Sequence, residues 1–505
     1  MTIQTDVQDI LDRLKTAQGK PLGDPRFKSL LGLEKSTFSE NPSATSGLTF
    51  YDLELGAKFL YPVLTPLRNM IPRVSGRGGI QASWRAITAV NTTGLRFGVS
   101  AANRGGVMAV KTQDYTANYK GIGIETSVDF EAQYAGQEFD DIRALAAKTG
   151  LEALMLGEEA MILGGCASLP LGTTPQPTLA ASSTGGTLTA QTWSVICAAL
   201  TLDGVMNGSI AGGVQGQITR TNADGSQDQF GGGVAKKSAN STVPTTGSTG
   251  SITASVTPVP GALGYAWFWG APGSELLGAI TGINSVVITA AAGGTQNASS
   301  LGTGDNSTNP LAFDGLIYQA LIPNSGSYTY TMPSGSPGVG TPLTSDSAGG
   351  IIEIDTALKF MWDTYRLSPD TMWVNSQEAL NISRKILSGS QTAAQRFIFE
   401  SSQEMIGGGI MVRTYLNRFS MQGGSVVDVR VHPNMPAGTI LMTAKSLPYP
   451  LAGVGNVMQI RTRQDYYQIE WPLRTRRYEY GVYADEVLQH YFPPSMALIT
   501  NIGNG

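Results

Sequence analysis

At 505 residues the chain is long enough for roughly three domains and a large buried core, so it needs no covalent staples. A formal net charge of -4 and a pI near 5.4 exclude a strongly basic field of the kind that holds nucleic acid by neutralising phosphates, and any contact with DNA is expected to be weak and unspecific. Cys166 and Cys197 are the only cysteines, too few for a disulfide framework or a cysteine-rich zinc site, and they read as small apolar residues of a chain made in a reducing compartment.

The opening stretch MTIQTDVQDILDRLKTAQGK carries acidic residues early and no apolar core. No uncharged apolar run reaches the length of a membrane span, so a soluble protein without a signal peptide is expected. Val7, Ile10, Leu11 and Leu14 follow the i, i+3, i+4, i+7 rule and predict a short amphipathic helix. The prolines, glycines and serines after it show no period, so residues 1–50 are expected to form an extended N-terminal arm. In YDLELGAKFLYPVLTPLRNMIPRV the prolines at 62, 66 and 72 limit any helix to short pieces.

The next segment alternates. Ile80, Ala82, Trp84 and Ala86 interleave with Gln81, Ser83 and Arg85, and Tyr115, Ala117 and Tyr119 interleave with Thr116, Asn118 and Lys120. Period two marks two strands. Between them NTTGLRFGVSAANRGG is rich in residues that turn cheaply, so the chain reverses there. Arms of roughly fifteen residues would reach about 50 Å, longer than a small domain is wide. Such a ribbon, over about 77–121, is expected to overhang its own body and meet another molecule.

EFDDIRALAAKTGLEALMLGEEAMILGG then predicts a long helix over about 139–164, with Ile142, Leu145, Thr149, Leu154, Met161 and Ile162 near one stripe and Gly164 and Gly165 as its stop. From Pro170 to Ser345 only nine charged residues occur, among short apolar runs such as TWSVICAALT, SITASVTPV and LGYAWFWGA. This predicts an inserted all-β domain built around Trp193, Tyr265, Trp267, Phe268 and Trp269. A mixed helix and strand unit follows over 346–455, and strands return over 456–505. Ser376 is the expected N-cap of the helix SQEALNISRKIL.

Chemistry finds little footing. His432 and His490 are far apart and lack metal-ligand spacing, so they read as surface or packing residues. No nucleophile elbow, phosphate loop or dinucleotide fingerprint is present, and GVQGQITRTNADG is only a weak binding-loop match. No catalytic, cofactor-binding or metal-binding residue is therefore assigned. Arg461, Arg463, Arg474, Arg476 and Arg477 form the densest basic region, but Asp465, Glu470 and Glu479 interleave with them, which favours ion pairs across strands or subunits.

Taken in order, the arm, the proline-broken lead-in, the ribbon, the helix FDDIRALAAKTGLEALMLGEEAMILGG, the unit SPDTMWVNSQEALNI and the ending YFPPSMALITNI resemble a tailed-bacteriophage major capsid protein over about two thirds of the chain. The resemblance implies an α+β fold: an N-terminal arm (1–50), a peripheral domain with an extended loop and spine helix (51–169) and an axial domain (346–455), with C-terminal strands (456–505) rejoining both. The segment SVTPVPGALGYAWFWGAPGSELLGAITGINSVVITA resembles an immunoglobulin-like or fibronectin-type module, which implies a surface-displayed sandwich over 170–345. The resemblance implies no enzyme activity and no cofactor. Its implied partners are other copies of the chain in pentamers and hexamers, together with scaffold, portal and cement proteins, in a virion assembled in a bacterial cytoplasm. The candidate intersubunit contacts are Val7, Ile10, Leu11, Leu14, Trp84, Arg85, Arg96, Arg104, Lys111, Tyr115, Tyr119, Arg461, Arg463, Arg474 and Arg476. For Trp84 the alternative is packing on its own subunit. Lys111 and Lys120 are the ribbon lysines that the resemblance marks for a covalent crosslink, with surface solvation as the commoner role. An encapsulin-like container and a tail or surface adhesin are the competing classes.

Overall fold

The structure, a computed structural model, describes residues 60–90, 100–136, 141–222, 224–388, 412–421 and 424–504. Val7, Ile10, Leu11, Leu14 and Arg96 lie outside the described residues.

A one-turn helix, α1 (Pro66–Met70), opens on Pro66, whose fixed φ suits the first helical position. β1 (Arg73–Ser75) follows, and Gly78 and Gly79, both at positive φ, turn the chain into β2 (Gln81–Val90). β3 (Val110–Asn118) pairs antiparallel with β2, placing Trp84 opposite Tyr115 and Arg85 opposite Asp114. These two strands form a sheet of their own. The paired ribbon spans about 30 Å, less than expected, because residues 100–109 around Gly105 and Gly106 are not in strand. β4 (Lys120–Asp129) leads through α2 (Phe130–Ala135) to the spine helix, α3 (Ile142–Gly164).

Asp141 caps the spine helix by accepting hydrogen bonds from the amides of Arg143 and Ala144, two of the donors a helix start leaves unpaired. Its buried face is broader than the predicted stripe: Ala146, Gly150, Leu154, Leu156, Ile162 and Leu163 are buried, and so are Glu158 and Glu159. At Gly150 the helix lies so close to the sheet that a Cβ would stand 2.9 Å from the Thr126 methyl group.

The region expected as an insert runs through β5 (Thr178–Ser182), β6 (Thr192–Leu200), α4 (Leu202–Asn207), the hairpin β7 (Gln217–Thr221) and β8 (Gln227–Gly231), β9 (Ser241–Pro244), β10 (Ser251–Ser255), β11 (Gly264–Gly270), β12 (Leu276–Thr281) and β13 (Ser285–Ile288). Its sheets have the orders β13-β10-β5 and β12-β11-β6-β9, all pairs antiparallel. Trp193, Trp267, Trp269, Tyr265 and Cys197 pack with Ile252 and Ile288 in one cluster, while Ile196, Ala198 and Phe268 pack with Leu277 and Leu301 in a second. β6 and β11 thus feed apolar side chains into two clusters, which is why TWSVICAAL and YAWFW read as unbroken apolar runs.

The remaining chain forms α5 (Leu316–Leu321), β14 (Tyr328–Thr331), α6 (Ile352–Tyr365), β15 (Thr371–Val374), α7 (Ser376–Ser388), β16 (Thr414–Asn417), β17 (Ser425–Val431), β18 (Ile440–Thr443), β19 (Met458–Glu470), β20 (Arg477–His490) and β21 (Met496–Thr500). A four-stranded sheet, β1-β19-β20-β4, packs on the spine helix, and a six-stranded mixed sheet, β14-β21-β18-β15-β17-β16, packs with α6 and α7. The C-terminal strands are divided between the two. Asn375, not Ser376, caps α7, its side-chain oxygen accepting from the Gln377 amide at 2.9 Å.

The far boundary of the insert moves back from Ser345 to about Gly315. The Asn309 amide donates to the Cys166 carbonyl (2.7 Å) and the Gly315 amide to the Gly165 carbonyl (2.8 Å), so the chain leaves and re-enters the host at one point. Beyond it, Leu316, Ile317 and Tyr318 lie in the host core and Tyr328–Thr331 pairs with β21. These residues are poor in charge because they are buried in the host, the same cause that makes the insert poor in charge. Contacts also join this region to the rest of the chain away from that point: Asn284 and Asn501 hydrogen-bond side chain to side chain and side chain to backbone, and Tyr318 meets Leu202 and Gly261.

Candidate assembly interface

The ribbon has two halves. At its root Ala82 is buried in the host core, with Ala117 and Tyr119 packed against that core. Trp84 stacks on Tyr115 with ring centres 5.8 Å apart and meets the edge of Tyr491 at 5.8 Å. Trp84 therefore packs within its own chain, on Tyr115 of β3 and on Tyr491, just past the end of the last long strand, instead of on the spine helix. Its indole nitrogen is buried without a partner. The outer half differs: Ile87, Val107 and Met108 are 67%, 90% and 66% exposed, and Val90 and Val110 are also open to solvent. Aliphatic side chains exposed together on a free two-stranded ribbon are the mark of a surface awaiting a partner.

The cations divide in the same way. Arg85 is spent inside the ribbon on Asp114, bidentate at 2.6 and 2.8 Å. Arg463 pairs with Asp485, Arg476 with Glu131 and Arg477 with Asp129, each at 2.7 Å. These pairs sit between neighbouring elements of one chain. Surface pairs of this kind contribute about 0 to 1 kcal/mol, so they orient strands more than they hold them. Arg104, Lys111 and Arg474 are exposed and make no ion pair among the described residues, and Arg461 is half-buried with its Nε unpartnered. Lys120 directs its ammonium to the Pro310 carbonyl at 2.5 Å, tying the foot of β4 to the rim of the insert.

Sequence reasoning missed a buried ionic cluster beneath α1. Glu158, on the spine helix, takes hydrogen bonds from Arg68 Nε (3.2 Å), Arg73 Nη1 and the Tyr466 hydroxyl. Arg73 also reaches Glu486 Oε2 and Asp465 Oδ1, both at 2.7 Å, and stacks over the Tyr466 ring at 4.4 Å. The adjoining Glu159 accepts the amides of Leu67 (2.8 Å) and Arg68 (2.7 Å) and pairs with His432 Nε2 at 2.6 Å. The sequence signal was a Glu-Glu pair in the apolar C-terminal half of the spine helix, LEALMLGEEAMILG.

Both histidines are buried, not superficial; burial pushes the His490 imidazole down to about 3, and it stays neutral. Burial also pushes the Cys166 thiol up to about 12, so it is a poor nucleophile. Among the described residues no three histidine, cysteine or acidic side chains are placed to hold a metal ion, and no helix is long and apolar enough to cross a membrane.

No family model matches the chain, and no curated protein does. Solved structures similar to it include the capsid of the Myoviridae phage XM1, 9% identical with a TM-score of 0.39, covering 90% of this chain and 97% of that one. The capsid of a native GTA particle is 8% identical with a TM-score of 0.40, covering 92% and 99%. The holo-SrpI encapsulin complex of Synechococcus elongatus is 8% identical with a TM-score of 0.35, covering 89% and 92%.

Proposed function

We propose that this chain is the repeating subunit of an icosahedral shell, the major capsid protein of a tailed bacteriophage, with the inserted immunoglobulin-like sandwich displayed on the outer surface. The observation that carries the reading is the ribbon: among the described residues β2 and β3 pair only with each other, and their outer half, with the residues next to it, presents Ile87, Val90, Val107, Met108 and Val110 to solvent. A neighbouring copy supplies the surface that these side chains lack. On this reading the free cations Arg104, Lys111 and Arg474 face neighbouring subunits in pentamers and hexamers. The shell encloses double-stranded DNA with only weak, unspecific contact to it, and scaffold, portal and cement proteins complete the virion in the bacterial cytoplasm. Electron microscopy of the purified chain tests the reading. Closed particles of regular size support it, whereas monomers or fibres at concentrations well above micromolar overturn it.

A further inference from the structure

The ionic cluster beneath α1 is unevenly served. Glu158 receives three donors, but Glu486 receives one, from an arginine it shares with Glu158 and Asp465, and Glu486 Oε1 is buried with no partner. Both glutamate side chains are wholly buried, while Asp465 is 57% exposed and keeps its charge in water. Burying a carboxylate on a third of a guanidinium is unfavourable, and a single proton removes the difficulty.

The groups facing Glu486 complete the account. Arg68 comes from α1, Arg73 from β1, Glu158 from the spine helix, and Asp465 and Tyr466 from β19. Lys120 of β4 stands opposite Glu486 in the sheet, but its ammonium is committed to the Pro310 carbonyl. Among the described residues no second cation is left for Glu486.

Over the cluster lie α1 and β1. β1 is an edge strand of three residues, so it is the part of this sheet that can leave at least cost. We propose that Arg73, Glu158 and Glu486 form a proton-tightened clasp, in which a proton held on Glu486 closes the segment from Pro66 to Gly76 onto the spine helix and its loss favours opening. The sign follows from the titration. Burial first, and the Glu158 charge next, push the Glu486 carboxyl up to about 8, whereas in an opened, hydrated segment it returns toward 4.5. The closed form therefore binds the proton more tightly. Its advantage is complete at and below the hydrated value and is lost as the pH climbs to about 8, by at most about tenfold per pH unit for one proton.

The clasp does not depend on shell formation, and its test uses the full chain in either state. Hydrogen exchange, corrected for intrinsic rates, is followed from pH 5 to 9 in residues 66–76, with β6 of the sandwich and the centre of β20 as internal references. Protection of 66–76 should fall steadily to about pH 8 and then level off while the references stay flat, and E486Q should abolish the fall. A flat profile in the wild-type chain, an equal fall in every segment, or the same fall in E486Q overturns the clasp. If E486Q does not fold, the wild-type profile decides alone: a fall confined to 66–76 that levels near pH 8 supports the clasp, and any other profile rejects it.

Discussion

The sandwich and the ribbon are both made of antiparallel strands, yet they complete themselves in opposite ways. In the sandwich, β6 and β11 are buried, and its three tryptophans each direct the indole N–H to an acceptor in the same domain: Trp193 to Thr245, Trp267 to Thr281 and Trp269 to Ala290. The ribbon has one tryptophan, with its N–H unpartnered, and an outer half whose aliphatic side chains touch water. A strand buried within its own domain makes that domain stable, whereas a strand left open makes it dependent on whatever covers it. On the proposed reading, the difference separates residues that hold the fold from residues that would hold an assembly.

The largest effects are expected from deleting the sandwich at two different boundaries. Deleting residues 169–308 and bridging the ends with a short Gly-Ser linker should leave a folded but destabilised host: the chain enters and leaves at Cys166 and Asn309, while Leu202 and Leu263 are lost from the host core and Asn501 loses Asn284. Extending the deletion to Ser345 also removes Leu316, Ile317 and Tyr318 from the host core and β14 from the sheet edge, and should give aggregated protein. Solubility and far-ultraviolet circular dichroism distinguish the two. Equal solubility of both deletions would show that α5 and β14 belong to the insert after all.

Single substitutions come next. Trp267→Ala, at a wholly buried site, should destabilise the sandwich by about 3 to 5 kcal/mol, read as loss of its calorimetric transition. Trp84→Ala, half-buried at the ribbon root, should cost about 1 to 2 kcal/mol through its lost contacts with Tyr115 and Tyr491. Arg85→Ala opens an exposed pair and should leave the thermal midpoint unchanged. A Trp84 effect as large as that of Trp267 would mean that the ribbon root is core.

Legibility in the sequence followed the same division. The sandwich strands, the spine helix and the ribbon announced themselves because period and composition are local properties, and Trp84 with Tyr115 and Arg85 with Asp114 meet across one turn. The ionic cluster was illegible because Arg73 joins partners 85, 392 and 413 residues away, and nothing in MLGEEAM distinguishes a buried glutamate from a solvated one. α5 and β14 were placed in the insert for a related reason: host core and insert core are equally poor in charge. His432 needed Glu159, 273 residues distant, before its burial made sense.

The outer ribbon is the part of the molecule on which assembly is proposed to depend. Replacing residues 87–112 with a two-residue Asn-Gly turn joins the facing pair Ala86 and Gln113, keeps Trp84 opposite Tyr115 at the root and removes the exposed aliphatic side chains. Sedimentation velocity should then show the intact chain in large, uniform particles and the shortened chain as small species with an unchanged melting midpoint. Particles of the same size from the shortened chain would contradict the claim that the ribbon is covered by a neighbouring copy.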